Sequence, residues 1–248
     1  MTISYKLVGW YVVTALLAWG MWGAGKSLGF NSVTGLDINV LVTLIFLLLV
    51  SLSVIGYALF RSRFTPLISG AVIGLSFLAW YGFTKLNLLG AGILILLAFE
   101  SYRRAGRQIQ RVKINLLEIL NHGLYPLVIG IFILVSFVAY QSPLAEQLED
   151  TKRLPSQTQQ FLEEVADKIV GPQQVAEQTY QQANAFLKPY FQYAPPLLAF
   201  GLFLILWGLS WLFVWLGVAV GIFIFWLMKK TRFVQVQEKE VKAEIIIV

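Results

Sequence analysis

Cysteine, histidine and charge are all scarce in this chain of 248 residues. It has no cysteine, one histidine and 13% charged residues, against about 25% charged residues in soluble globular proteins. The missing cysteines exclude a disulfide framework and a thiolate metal site, and the lone His122 argues against a histidine-rich zinc or iron site. Hydrophobic residues instead make up 58% of the chain, which excludes both a soluble domain and a disordered chain.

Six stretches are apolar and long enough to be candidate membrane spans, since a transmembrane helix needs roughly 20 mostly apolar residues. They are Leu7–Gly25, Ile38–Phe60, Pro66–Phe83, Leu86–Phe99, Gly123–Tyr140 and Leu197–Met228. The pattern predicts an all-α, polytopic integral membrane protein with about six transmembrane helices. A cleaved signal peptide is the alternative for the first stretch, but its 19 apolar residues exceed the usual apolar region of about 7–15.

Two of the six spans have unusual lengths. The fourth contains only 14 residues before Glu100, so it must extend through Ser101 and Tyr102 or let nearby arginines snorkel. The sixth runs for 32 residues without a charge, which is roughly 48 Å of helix against a hydrocarbon core of roughly 30 Å. We therefore expect the sixth helix to tilt, kink or protrude.

The distribution of lysine and arginine predicts the orientation. With both termini in the cytoplasm, 13 of these residues lie inside and 6 outside, as the positive-inside rule requires. A hairpin in the sixth segment would export Lys229, Lys230 and Arg232, so one continuous helix is favoured. The predicted location is the cell membrane, as a multi-pass protein. Topology explains the basic balance, and no separate basic domain indicates a nucleic-acid partner.

The inner loop at residues 102–122 has the pattern of a basic amphipathic helix. Its apolar residues recur at helical spacing from Ile109 to Leu120, and Gly123 is a candidate C-cap. Such a helix can lie in the headgroup layer with its cations on anionic lipids. The alternative is that the apolar stripe packs on neighbouring spans. The candidate lipid-surface residues are Arg103, Arg104, Arg107, Arg111 and Lys113.

The candidate spans and the soluble segments between them define the predicted domain organisation. Residues 1–140 form a five-span region, 141–194 an extracytoplasmic helical loop, 195–230 the long sixth helix and 231–248 a cytoplasmic tail. In the loop, Ser142 before Pro143 and the capping box from Ser156 to Gln159 predict a small cap of helices. The tail at 233–248 either pairs as an edge strand with a partner or frays, with its last residues touching lipid.

Small and aromatic residues suggest how the spans pack. Gly70 with Gly74, and Gly217 with Gly221, each form a G-x-x-x-G face that permits close approach of two helices. Three tryptophans recur every four residues in the sixth span, at Trp207, Trp211 and Trp215. Such a stripe either lines an apolar cavity or, as is commoner in spans, faces lipid or packs on protein.

Motifs that resemble catalytic or cofactor sites fail on their context. Residues 20–27 match G-x-x-x-x-G-K-S, but they end a membrane span on the outer face and lack the strand before the loop. His122 and the serines of the spans form no nucleophile and base cluster. Glu100 is more simply explained as an ion-pair partner of Arg104 than as a proton relay. We therefore predict no catalytic, metal or cofactor site.

These features suggest a non-enzymatic assembly or scaffold component of the membrane. It would associate with its own copies through the glycine faces, or with partners through the outer loop 141–194 or the tail 233–248. Anionic headgroups are the expected lipid contact on the inner face. The alternative is a channel or small-solute transporter, which the lack of polar residues at mid-bilayer disfavours.

The cysteine-free chain permits a direct test of topology. Single cysteines introduced at Gln110 and Glu240 should be protected from an impermeant thiol reagent in intact cells, whereas one at Gln157 should be labelled. The reason is that cationic flanks are retained in the cytoplasm during insertion. Labelling of Gln110→Cys and Gln157→Cys from the same side would contradict the six-span topology.

Overall fold

A computed structural model describes residues 5–27, 40–109, 115–151, 173–231 and 233–234, and every regular element within them is helical. Six of its helices are long and apolar enough to cross a membrane, which confirms the all-α, six-span prediction. The helices are α1 (Tyr5–Ser27), α2 (Val40–Leu59), α3 (Phe64–Tyr81), α4 (Lys85–Ile109), α5 (Leu116–Tyr140), α6 (Pro143–Thr151), α7 (Gln173–Leu187) and α8 (Ala194–Lys230), with a 3₁₀ helix at Lys188–Tyr193.

Helix α2 is the centre of the bundle. It contacts all five other long helices, while α1, α3, α4, α5 and α8 follow one another around it through successive pairwise contacts. Leu49 and Val54 of α2 are fully buried, and α5 contributes Leu124 and Leu127 to the same core. The fold therefore consists of one central helix with an arc of five around it.

Side-chain hydrogen bonds to backbone carbonyls join several of these helices. Such bonds matter in a bilayer because lipid tails do not compete for the polar groups, although each contributes only about 0.6 kcal/mol on average. The interhelical donors are Trp10 to Leu52 O (3.1 Å), Ser51 to Gly217 O (2.7 Å) and Ser101 to Gly123 O (2.6 Å).

A compact polar network joins the C-terminal ends of α3 and α5 and the N-terminal end of α4. The buried Asn87 side chain donates to the carbonyls of Tyr81 (3.1 Å) and Gly82 (3.0 Å), at the point where α3 ends. Gln141, just after α5, donates to Asn87 Oδ1 (2.8 Å), and Thr84 donates to Gln141 Oε1 (3.0 Å). The network satisfies carbonyls that the end of α3 leaves without helical partners.

The fourth span is longer than the 14 apolar residues predict. Helix α4 continues without a break beyond Phe99 to Ile109. Glu100 forms ion pairs with Arg103 and Arg104, each with a distance of 2.8 Å, which confirms the link to Arg104. The acid is thereby paired on its own helix, and the helix continues past it into a basic segment.

The region expected to form one amphipathic helix at 102–122 contains two helix ends instead. Residues 102–109 complete α4, and α5 begins at Leu116. Between them Asn115 has an extended backbone, and its side chain accepts the Leu117 N–H at 3.2 Å as an N-cap. Gly123 is not a C-cap, since it is buried inside α5. Residues 110–114 lie outside the described part of the chain.

The sixth segment is one continuous helix, as charge placement predicts. Helix α8 has 37 residues, which corresponds to roughly 55 Å. A helix tilted by about 40° travels only roughly 39 Å through a 30 Å core, so α8 must extend beyond the hydrocarbon. Lys229 and Lys230 lie at the C-terminal end of α8 and mark the membrane surface there. We therefore expect the helix to protrude at its N-terminal end.

A small cap covers part of the protruding end. Ser142 accepts the Ala145 N–H at 3.3 Å and so caps α6, as the sequence predicts. Helix α6 packs on the N-terminal part of α8, where Leu148, Phe191 and Ala194 form a separate apolar cluster. The predicted capping box at Ser156 and Gln159 lies outside the described residues.

The start of α1 and the residues just after α8 meet at the side of the bundle opposite the cap. Lys6 Nζ donates to the backbone carbonyl of Phe233 at 3.0 Å and lies 4.8 Å from the centroid of its ring. The starts of α1 and of the tail are therefore on one face of the membrane protein, as an even number of spans requires.

Candidate functional site

The basic C-terminal end of α4 carries three of the arginines predicted from the sequence to meet lipid headgroups. The side chain of Arg103 is 63% exposed and that of Arg104 is 39% exposed, although both pair with Glu100. Arg107 is exposed in the last turn of the helix. Two of these guanidinium groups are therefore shared between Glu100 and the surroundings. Arg111 and Lys113 lie outside the described residues.

The glycine pair of α3 lies against α4. A Cβ atom at Gly70 would be 3.1 Å from the Ala98 Cβ and the Ile95 Cα, and one at Gly74 would be 3.2 Å from the Ala91 Cβ. Small residues thus face small residues, which permits the close helix approach typical of membrane bundles.

The glycine pair of α8 lies against α5. A Cβ atom at Gly217 would be 3.1 Å from Leu124 Cδ1, and one at Gly221 would be 2.8 Å from Leu120 Cδ1. Both glycines are buried. The two glycine faces are therefore occupied within the chain, and any surface for a partner must lie elsewhere.

The outward face of α8 carries a row of large apolar side chains that we call the aromatic stripe. Its members recur every three or four residues, so that at about 100° per residue they fall within a sector roughly 80° wide. All are exposed, up to 74% for Trp215. The Trp207 indole N–H donates to the Tyr125 hydroxyl of α5 at 3.1 Å, so this side chain lies along the surface of the bundle. The stripe consists of Leu197, Phe200, Leu204, Trp207, Trp211 and Trp215.

A cavity of about 200 Å³ lies near the C-terminal ends of α1, α3 and α5, and we call it the outer cavity after the orientation that the sequence predicts. Its walls come from α1, α2, α3, α5 and α8, and none of its lining residues is charged. Thr43 and Tyr81 contribute the hydroxyl groups, and Trp22 an indole N–H that has no hydrogen-bond partner. The cavity is therefore shaped by aromatic and aliphatic groups with few polar atoms.

Three phenylalanine rings mark the inner end of the outer cavity. Phe46 of α2, Phe132 of α5 and Phe213 of α8 lie with ring centroids 5.3–6.0 Å apart, in stacked and edge-on arrangements. Aromatic pairs at these separations attract each other beyond their buried area. Further inward the core is filled by fully buried leucines such as Leu49 and Leu124.

The phosphate-loop pattern at residues 20–27 is helical. Those residues form the end of α1, where backbone N–H groups bond to carbonyls of the preceding turn and are not free to cradle a phosphate. Among the described residues, no three histidine, cysteine or acidic side chains form a group that could hold a metal ion.

The phenylalanine cluster and the Asn87 network have no counterpart in the sequence analysis. Phe46, Phe132 and Phe213 are far apart in the chain and each lies in an apolar run, so no local spacing distinguishes them. Asn87 follows the predicted start of the fourth span by one residue. A polar residue at a span end was the available signal.

Comparison with known proteins yields no relative, since no family model matches the chain and neither a curated protein nor a solved structure is significantly similar.

The contact between Gly221 and Leu120 predicts that a large side chain at position 221 destabilises the protein. Gly221→Ile should lower the thermal stability of the solubilised protein or prevent its accumulation, because overpacking a core typically costs about 1–3 kcal/mol. Gly92→Ile is the matched control, since a Cβ there meets nothing within 4 Å. Fluorescence-detected thermal melting measures both variants. Equal melting of the two would contradict the packing of α8 on α5.

Proposed function

We propose that this chain is a non-enzymatic integral membrane protein that works by assembly, and that the aromatic stripe of α8 joins two copies. The observation that carries the proposal is the continuity of the stripe. It extends from Trp215 within the membrane to Leu197 near the start of α8, where the helix is too long to remain in hydrocarbon.

Lipid tails provide no cover for the upper part of the stripe. Leu197 is 57% and Phe200 is 61% exposed, although α6 covers another side of α8. Apolar surface in contact with water costs roughly 25 cal/mol per Å², and contiguous patches of it usually mark an interaction site. A protein surface that buries these residues would remove that cost.

A second copy of the chain fits the stripe because of membrane topology. All copies insert in the same orientation, so two α8 helices related by a twofold axis along the membrane normal run parallel and bring each stripe residue opposite its equivalent. The spacing of three and four residues is the spacing of knobs-into-holes packing. The stripe has no charged residue that would be repelled by its equivalent.

We place both termini in the cytoplasm and assign the basic inner end to anionic lipid headgroups. The excess of lysine and arginine on that face supports the orientation. The exposed guanidinium groups of Arg103 and Arg107 support the lipid contact, since polybasic segments beside a membrane attract anionic lipids. The same headgroups would stabilise the end of α4.

A channel or transporter is the second candidate, and the outer cavity is the observation that favours it. A solute would enter from the outer face and meet the cluster of Phe46, Phe132 and Phe213. Passage would then require the buried leucines beyond the cluster to separate. Assembly needs no such rearrangement, so we rank it first.

Disulfide cross-linking tests the proposed interface, and the cysteine-free chain gives no background. Single cysteines replacing Leu197, Leu204 and Trp211 should form disulfide-linked dimers in native membranes on mild oxidation, because equivalent positions face each other. The matched controls are cysteines replacing Leu209, Leu212 and Leu216, which are exposed on another side of α8. Non-reducing electrophoresis measures the dimer fraction.

The expected result is several-fold more dimer at the stripe than at the control positions. Equal cross-linking on both sides would indicate random collision and would overturn the interface. No cross-linking at the stripe, together with a monomeric mass by light scattering, would overturn assembly through a second copy and leave another partner as the explanation.

The headgroup assignment predicts a lipid-dependent gain in stability. Moving the protein from neutral to anionic nanodiscs should raise its Tm, and Arg103→Gln with Arg107→Gln should remove most of that gain, at about 1 kcal/mol per charge. Arg104 is retained so that Glu100 keeps an ion pair. Lys85→Gln with Lys188→Gln is the control at the outer end, and high salt should mimic the inner variant. An unchanged gain would contradict the assignment.

A further inference from the structure

We propose that the outer cavity binds one acyl chain of a bilayer lipid, which enters from the outer leaflet and ends against the phenylalanine cluster. This site is separate from the aromatic stripe. It lies inside the bundle of a single chain and does not depend on assembly.

The cavity has the size for a stretch of hydrocarbon. Its volume of about 200 Å³ exceeds the roughly 150 Å³ that suffices for an apolar cavity in a protein core to hold a benzene molecule. Its walls include Ile131 to Val138 on α5 and Leu206 to Phe213 on α8, and each of these stretches rises by roughly 10 Å. The lining therefore extends roughly 10 Å along these two helices, a length that suits a stretch of acyl chain.

The lining selects an apolar occupant over water. A buried water molecule needs two to four polar partners, whereas apolar cavities in proteins remain dry. Thr43, Tyr81 and Trp22 are the lining residues with polar side-chain groups, and the others are glycine, aliphatic, aromatic or methionine side chains. Without water, an empty cavity forfeits the dispersion contacts of its walls, and an acyl chain restores them.

The position of the cavity allows a lipid of the outer leaflet to provide the acyl chain. Gly25, Tyr81 and Val138 lie within three residues of the C-terminal ends of α1, α3 and α5, so in the proposed orientation this part of the lining is near the outer headgroups. Five of the 13 lining residues are buried and the other eight are partly exposed, which means that the cavity communicates with the surface of the bundle. A lipid of the outer leaflet can therefore insert a chain while its headgroup stays outside.

The phenylalanine cluster defines where the chain ends. Phe46 and Phe132 are 6% and 4% exposed, and together with Phe213 they separate the cavity from the filled core. Bulk lipid in contact with the outside of the bundle does not reach these two rings. A chain terminus in contact with them is therefore diagnostic of occupancy.

Photolabelling of the full-length protein tests the proposal. The protein is placed in nanodiscs of phosphatidylcholine that carries a diazirine at the end of one acyl chain, illuminated, digested and mapped by mass spectrometry. We expect adducts on Phe132 and Ile131 as well as on lipid-facing residues such as Leu96, which is 71% exposed.

Filling the cavity should remove the interior adducts selectively. Val135→Phe on α5 and Leu206→Phe on α8 add bulk to the lining, and each should reduce labelling at Phe132 several-fold relative to labelling at Leu96. Val13→Phe is the matched control, since Val13 faces outward and does not line the cavity. Thermal melting reports whether each variant is folded, and the wild-type map decides the question even if both filled variants fail to fold.

Adducts confined to exposed residues in the wild-type protein would overturn the proposal. So would interior labelling that persists in both folded filled variants. If a diazirine fatty acid labels Phe132 and the phosphatidylcholine does not, the assignment to a bilayer lipid is wrong. None of these outcomes depends on whether the stripe of α8 cross-links, so the two proposals fail separately.

Discussion

The bundle depends on close packing and on a few hydrogen bonds, because lipid tails are as apolar as the side chains that leave them and burial provides no drive for spans to associate. Helix α2, at the centre of the bundle, takes part in these hydrogen bonds. Its Ser51 donates to the Gly217 carbonyl of α8, and its Leu52 carbonyl accepts from Trp10 of α1. Gly217 also receives Leu124 of α5. Small residues and carbonyl acceptors therefore hold the arc of helices on α2.

Helix α8 is longer than the hydrocarbon core is thick, and the excess length lies at one side of the bundle. The C-terminal end of α8 stops at lysines near the start of α1, so the excess length of the helix lies at its N-terminal end. There α6 covers one side of it, and the aromatic stripe remains on another. The proposed second copy and the proposed acyl chain occupy different surfaces. One lies outside the helix that protrudes, and the other lies among helix ends that stay within the bilayer.

Polar groups near the ends of the spans are stabilised by pairing with other side chains or with backbone carbonyls. Glu100 is paired with Arg103 and Arg104 of its own helix, and Asn87, which accepts from Gln141, donates to the Tyr81 and Gly82 carbonyls where α3 ends. The first arrangement pairs a charge, and the second satisfies backbone carbonyls. Their positions at span ends, rather than in mid-span, fit a protein whose proposed role is contact with other molecules and not the conduction of ions.

The sequence by itself determined the all-α class, the six spans, the unbroken last helix and the link from Glu100 to Arg104, because hydropathy, helical spacing and charge are local quantities. It did not determine that residues 102–122 contain two helix ends, since an N-cap at Asn115 interrupts an otherwise helical pattern. Only the tertiary structure assigned the glycine faces to contacts within the chain and brought Phe46, Phe132 and Phe213 together. In a uniformly apolar span every face can contact lipid equally well. The shapes of helices distant in sequence therefore decide which faces pack together.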